Sequence, residues 1–369
     1  MSTLPAPGSV PVTELFRAVV DVPSVSGDET ALADGVEAAL RAHPHLEVLR
    51  DGDAVLARTS RGRAMRVVVA GHLDTVPIKD NVPGRLEERD GREVLWGRGS
   101  VDMKGGVAVM LHLAATLVDP RYDVTWVLYD HEEVDSSLNG LGRVARHHPE
   151  WLDGEFAILA EPTDAQIEGG CNGTIRVEVR ASGTAAHSAR AWRGHNAVHD
   201  LAPVLAALAG HTAETVTVDG LDYRESLGAV GIRGGIAGNV VPDEAVVTVN
   251  YRFAPSRSVA DAERYVAAVL APALAAVPGL TLTTTDAAAG ARPGLDHPAA
   301  AAFVEAARTA TGARVNPKYG WTDVARFSEL GIPAVNFGPG DPMLAHHDDE
   351  HCPTQQVTDV AAALAAWLG

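Results

Sequence analysis

The sequence predicts an α/β protein: a mostly parallel sheet flanked by helices, into which a smaller α+β domain is inserted. Three observations predict it. Short continuous apolar runs stand at Arg66–Ala70, Val124–Tyr129, Phe156–Ala160 and Pro333–Phe337, the form of strands buried on both faces. Helical patterns lie between or beside them. In the middle of the chain the pattern changes to alternation of apolar and polar residues, as on a sheet with one wet face.

In chain order, the Arg66–Ala70 run is followed by a Gly-rich loop and a helical pattern at Val107–Leu117. The runs Val124–Tyr129 and Phe156–Ala160 come next. Thr174-Ile-Arg-Val-Glu-Val-Arg180 then alternates, and Asn196–Gly210 reads as a helix. Val216–Val218, Gly228–Ile232 and Ala245–Phe253 read as strands, Val259–Ala275 as a helix and Leu280–Thr285 as a strand. An antiparallel sheet with two helices on one face, a ferredoxin-like unit, is the expected result. Gly290–Pro298 reads as the return linker. Ala300–Thr309 and Asp359–Leu368 complete the first domain as helices on either side of the Pro333–Phe337 strand. The expected plan is one domain of residues 1–173 and 289–369, split by an inserted domain at 174–288.

Composition bounds the function. At 369 residues, 46% hydrophobic and 21% charged, the chain is expected to be soluble, with two domains and a sizeable core. Its longest apolar stretches, such as Leu201–Ala209, are too short to span a bilayer, so no membrane role is expected. Met1–Val10 carries no basic region followed by an apolar one, hence no visible secretory signal. Two distant cysteines, Cys171 and Cys352, exclude a disulfide framework and point to a cytoplasmic location. A formal charge of −18 argues against a nucleic-acid partner.

Each apolar strand run is followed by groups able to bind a metal: Gly71-His72-Leu73-Asp74, Asp130-His131-Glu132-Glu133, Glu161-Pro162-Thr163 and Ala345-His346-His347-Asp348-Asp349-Glu350. Open parallel sheets bind ligands beyond the carboxyl ends of their strands, so these groups are placed to converge. Asp102, in Gly97-Arg-Gly-Ser-Val-Asp-Met-Lys-Gly-Gly106 at the mouth of a helix, is a fifth candidate. Taken singly, each has an ordinary explanation: a loop histidine, a helix N-cap at Asp102, a solvated turn at 346–351. The glycines at 97, 99, 105 and 106 fit neither a P-loop nor a dinucleotide fingerprint. Taken together, nitrogen and oxygen donors without thiolate suit zinc, with manganese or cobalt as substitutes. Five ligands exceed what one catalytic zinc needs, and a carboxylate such as Asp102 can bridge two ions about 3.5–4 Å apart. Asp74, two residues after His72, has the reach to accept the imidazole's second N–H. Of the neighbours Glu132 and Glu133, one can hold metal while the other takes a proton from the attacking water and returns it to the leaving nitrogen.

At these residues the chain resembles the metallopeptidase and deacylase family that includes aminoacylase, acetylornithine deacetylase and succinyl-diaminopimelate desuccinylase. The matching segments are Gly71–Pro77, Gly97–Gly105, Glu132-Glu133, Ala160–Thr163 and Ala345-His-x-x-Asp-Glu350. The resemblance implies Asp102 as bridging ligand, His72 and Glu161 on one zinc, Glu133 and His346 on the other, and Glu132 as general acid/base. It implies that His187, in Ala186-His-Ser188, serves the active site, in many relatives that of the partner subunit, and that the inserted domain is a lid through which a homodimer forms. Asn239, Arg252 and Thr322 match substrate-contacting segments. Within the family the features Ala160–Asp164, Cys171–Thr174, Ala186–Arg193 and Asn336–Pro342 resemble actinobacterial-type desuccinylases. The implied substrate is a small N-acyl amino acid, N-succinyl-LL-2,6-diaminopimelate, of the lysine and cell-wall pathway. Its three carboxylates call for guanidinium partners, for which Arg190, Arg193, Arg252 and Arg326 are candidates. A related deacylase, a dipeptidase or carboxypeptidase, and a non-catalytic metal-binding dimer are the alternatives.

Overall fold

The computed structural model describes residues 4–369 and separates the chain into two compact units. The first comprises residues up to 169 with 293–316 and 326–369; the second comprises 170–292 with 317–325. The boundaries lie a few residues outside the expected 174–288. The segment 317–325, expected with the first domain, groups with the second. Long-range contacts draw it there, among them Asn172 N to Lys318 O and Trp321 Nε1 to Ala289 O, and no local pattern announces such contacts.

The first unit is built on an eight-stranded sheet in the order 47–51, 54–58, 123–129, 66–72, 156–159, 334–336, 167–169, 315–317. Its four central strands, Asp123–Tyr129, Arg66–His72, Phe156–Leu159 and Ala334–Asn336, run parallel, as their continuous apolar runs require. All residues of Asp123–Tyr129 and Phe156–Leu159 are buried. One sheet face, including Val67, Val69, Trp126, Phe156 and Val335, shares a core with Phe16, Met110, Phe303 and Trp367. These last come from the helices Val12–Val20, Lys104–Thr116, Pro298–Thr311 and Thr354–Leu368. Each fully buried large apolar side chain of this kind stabilises the fold by about 1.5–3 kcal/mol. A three-stranded antiparallel sheet, 351–353, 92–96 and 85–89, lies beside them in sequence and pairs His351 with Trp96.

In the second unit the strands Ser226–Gly234, Glu244–Phe253, Gly173–Ser182 and Thr281–Ala288 form one antiparallel sheet, in that order. Gly173–Ser182 alternates buried and open residues, and the helices Ala202–Ala209 and Val259–Ala276 cover the apolar face through Val204, Leu208, Val266 and Leu270. Two details depart from expectation. The helix expected over 196–210 is two, Ala197–Asp200 and Ala202–Ala209. Pro203 has no N–H to continue the first helix's bonding, so the second starts anew. The strand expected at 216–218 is not in the main sheet: Thr215–Val218 pairs only with Leu221–Arg224. Asp219 and Gly220, at φ 50 and 84, close that hairpin with the doubly positive turn an Asp-Gly pair favours.

Candidate metal centre

Four of the expected ligands stand just past the carboxyl ends of the parallel strands. His72 ends its strand beside Tyr129, the last residue of the neighbouring strand, and Glu132-Glu133 follow at once. Glu161 comes two residues after Leu159, and His346 lies in the loop following Asn336. Asp102 precedes the helix Lys104–Thr116, whose N-cap is Met103 and carries no side-chain cap bond. The N-cap explanation of Asp102 therefore fails. Close packing sets Glu161's position: a Cβ on Gly106 would lie 2.2 Å from the Ala160 carbonyl oxygen, and one on Gly338 would lie 2.5 Å from that of Glu161.

These side chains meet in three overlapping groups whose ligand atoms lie within 4.8 Å of one another: His72, Asp102 and Glu161; Asp102, Glu133 and His346; His72, Glu132 and Glu133. Asp102 is shared in a particular way. Its Oδ1 is 3.1 Å from His72 Nε2, while its Oδ2 is 3.4 Å from His346 Nε2. Glu161 Oε1 lies 3.9 Å from His72 Nε2, and Glu133 Oε2 lies 2.9 Å from His346 Nε2. One carboxylate thus presents one oxygen to each half of the centre, the disposition of a bridging ligand.

The electrostatics ask for cations. Burial pushes Asp102 up, but hydrogen bonds from His346 and His72 outweigh it and hold the carboxyl well below its usual range. Hydrogen bonds to Asp102 and then Glu133 raise His346 to about 10. Burial opposes charge on His72, yet its bonds to Asp102 and Asp74 raise it well above the ordinary value. Burial, reinforced by the charge on Asp102, pushes Glu133 up. Imidazoles so drawn to hold protons among carboxylates mark a donor set that a divalent ion would fit by displacing those protons.

Asp74 does more than expected. His72 Nδ1 is 3.0 Å from the Asp74 backbone carbonyl and 3.4 Å from its Oδ1, so carbonyl and carboxylate both face the ring N–H. The carboxylate also accepts the backbone N–H groups of Glu132 and Glu133, each at 3.0 Å, and the Ser26 hydroxyl at 2.6 Å. Burial raises its pKa, and the bonds from His72, Ser26 and Glu132 bring it down to about 2. His131, immediately before the glutamate pair, sits at φ 58, and His346 at φ 67. Such backbone in non-glycine residues costs energy and persists only where surroundings enforce it.

Glu29 supplies part of that enforcement. It is fully buried, and its Oε1 accepts the His131 N–H at 3.2 Å while its Oε2 accepts that of Gly27 at 2.9 Å. Ser26 and Glu29 were missed by sequence reasoning. The only available signal was Ser-Gly-Asp-Glu before an apolar helical pattern, which is indistinguishable from an ordinary helix start.

In the second unit, His187 Nδ1 accepts the Ala189 N–H at 3.1 Å and caps the short helix Ser188–Arg193. A neutral ring so bound carries its proton on Nε2, as a donor. Asn239 lies alongside, its backbone oxygen accepting the Ser188 N–H at 2.9 Å. Arg252, half-buried, bonds Asn250 Oδ1 at 3.2 Å. Thr322 is buried, and its backbone oxygen accepts the Ala325 N–H at 3.1 Å. Arg190 and Arg193 lie exposed on the short helix, and Arg326, in the first unit, bonds the Ser136 carbonyl at 3.4 Å.

The chain is 54% identical over 359 residues to a putative succinyl-diaminopimelate desuccinylase of Mycobacterium tuberculosis, covering 96% of this chain and 97% of that one. It is 47% identical over 359 residues to the succinyl-diaminopimelate desuccinylase of Corynebacterium glutamicum, covering 96% and 95%. Its fold superposes on a family M20 metallo-carboxypeptidase of Sulfolobus solfataricus with a TM-score of 0.77 at 17% identity, covering 97% of this chain and 98% of the other. Residues 68–369 match the peptidase family M20/M25/M40, and the chain belongs to that family.

Proposed function

We propose that the chain is a two-metal amide hydrolase that cleaves N-succinyl-LL-2,6-diaminopimelate to succinate and LL-2,6-diaminopimelate. The disposition of Asp102, one oxygen toward each imidazole, carries the two-metal reading. Near-full-length identity to the two desuccinylases carries the substrate. His72, Asp102 and Glu161 would hold one ion, and Asp102, Glu133 and His346 the other. Zinc suits these donors, and cobalt or manganese can replace it. When bound, the metal pair polarises the scissile carbonyl and acidifies the attacking water.

The chain's own residues do the rest. Glu132 takes a proton from that water as its oxygen attacks the carbonyl carbon. It then gives the proton to the amine nitrogen as the C–N bond breaks. Asp74 holds Glu132 and Glu133 by their backbone N–H groups, so the proton carrier and its neighbouring ligand keep a fixed relation. The Nε2–H of His187 is suited to donate to the developing oxyanion. Arg252 is suited to grip a substrate carboxylate, with Asn239 and Thr322 contacting further polar groups.

The test is a side-by-side assay. The succinylated diaminopimelate should be cleaved with kcat/KM at least about a hundredfold above that for N-acetylornithine, since a pocket built for a carboxylate leaves its cationic partner unmatched by a methyl group. The reverse preference would reassign the substrate.

We further propose a homodimer through the second unit, in the cytoplasm, where fractionation would find it. The strand Ser226–Gly234 is an unpaired sheet edge with Val230 64% and Ile232 57% exposed. An open edge with apolar side chains favours pairing with a second copy. Ile232→Lys should shift the protein toward monomer in analytical ultracentrifugation. A wild-type chain that sediments as a monomer at micromolar concentration would refute the dimer.

A further inference from the structure

Arg98 and Glu350 form an ion pair at 2.9 Å in which both side chains are almost wholly enclosed, 2% and 1% exposed. Neither belongs to the groups that converge on the metal centre. Their other bonds reach the segments bearing Asp102 and His346 and the loop that follows His72 and Asp74. Glu350 Oε1 accepts the backbone N–H groups of Val101 at 2.9 Å and of Asp102 at 3.0 Å. Arg98 donates from Nη1 to the carbonyl of His347 at 3.0 Å, next to His346, and from Nε to that of Pro77 at 3.1 Å, three residues beyond Asp74. The main chain adds Gly97 N to Glu350 O at 3.0 Å.

We infer that Arg98 and Glu350 are positioning residues that lock the segments bearing His72, Asp102 and His346 into the spacing the metal ions need. This rests on the metal-centre reading above. A buried ion pair is weak evidence for stability alone, because a packed apolar pair of similar volume often does as well. An apolar pair does not offer one acceptor to two adjacent N–H groups while donating to carbonyls of two other segments. That connectivity is the feature a ligand-holding role explains. Residues standing behind metal ligands in this way typically govern affinity by 10–100-fold when changed.

The experiment uses the full chain, stripped of metal and titrated with Zn2+ against a chromophoric chelator, with thermal unfolding of the metal-free protein alongside. In Glu350→Gln an acceptor remains for Val101 and Asp102, but the anchor to Arg98 is lost. In Arg98→Lys the charge facing Glu350 is kept and the fork to Pro77 and His347 is lost. Both variants should bind Zn2+ about 10–100-fold more weakly than the wild type, with altered visible bands when loaded with Co2+. Arg98→Lys should unfold within a few degrees of the wild type, and it carries the test should Glu350→Gln fail to fold. Zn2+ affinity within twofold of the wild type in Arg98→Lys overturns the inference, as does a lowered unfolding midpoint with unchanged affinity. A wild-type chain that binds no Zn2+ would instead refute the metal centre itself.

Discussion

Asp102→Ala is expected to abolish turnover and to leave the protein with little bound metal. Both halves of the centre depend on this carboxylate: its two oxygens lie 3.1 and 3.4 Å from the two imidazoles. Without it each proposed ion would lose the ligand that the two share. A metal pair supplies several kcal/mol of transition-state stabilisation, so activity should fall by about a thousandfold or more. The metal-free variant should still fold. The Asp102 side chain lies ahead of the helix Lys104–Thr116 and outside the apolar core, so its loss opens no cavity there. Elemental analysis of the purified variant decides the point: two equivalents of metal retained would refute the bridge. Far-UV circular dichroism should match that of the wild type.

Glu132→Gln should also lose turnover but, unlike Asp102→Ala, keep its metal. A glutamine preserves size and polarity but is not basic enough to take up a proton and return it, and general acid/base catalysis of this kind accounts for about 10²–10⁴ in rate. The fall should appear in kcat with KM within a few-fold, because the change removes a contribution made in the transition state. Geometry makes the experiment necessary, since a Glu132 oxygen lies within 4.8 Å of both a His72 nitrogen and a Glu133 oxygen. Glu132 is thus near enough to be a ligand. Metal loss in Glu132→Gln would assign it that part, and a near-normal rate would remove it from proton transfer.

The pattern of residues by itself determined a good deal of this protein. Buried parallel strands must be apolar on both faces, so Arg66–Ala70, Val124–Tyr129, Phe156–Ala160 and Pro333–Phe337 are legible as continuous runs. Because such sheets bind ligands at their carboxyl ends, the groups at 71–74, 130–133, 161–163 and 345–350 are legible as candidate donors from their place after those runs, while the family resemblance singles out His72, Glu133, Glu161 and His346 among them. The α+β unit was legible from its alternation, for the same geometric reason.

Tertiary structure alone decided the rest. That Asp102 turns one oxygen to each imidazole depends on a loop path that no local pattern encodes. Met103 takes the N-cap position that local preference would assign to Asp102. The polar run at 346–350 divides: Asp348 and Asp349 face outward to Lys79 and Arg89, while Glu350 turns inward to Arg98. The supports around the centre are bonds between residues far apart in sequence, Ser26 to Asp74, Glu29 to His131 and Arg98 to Glu350. Local propensity reports a residue's preferred backbone and face, whereas these roles exist only once packing has brought the segments within hydrogen-bond reach.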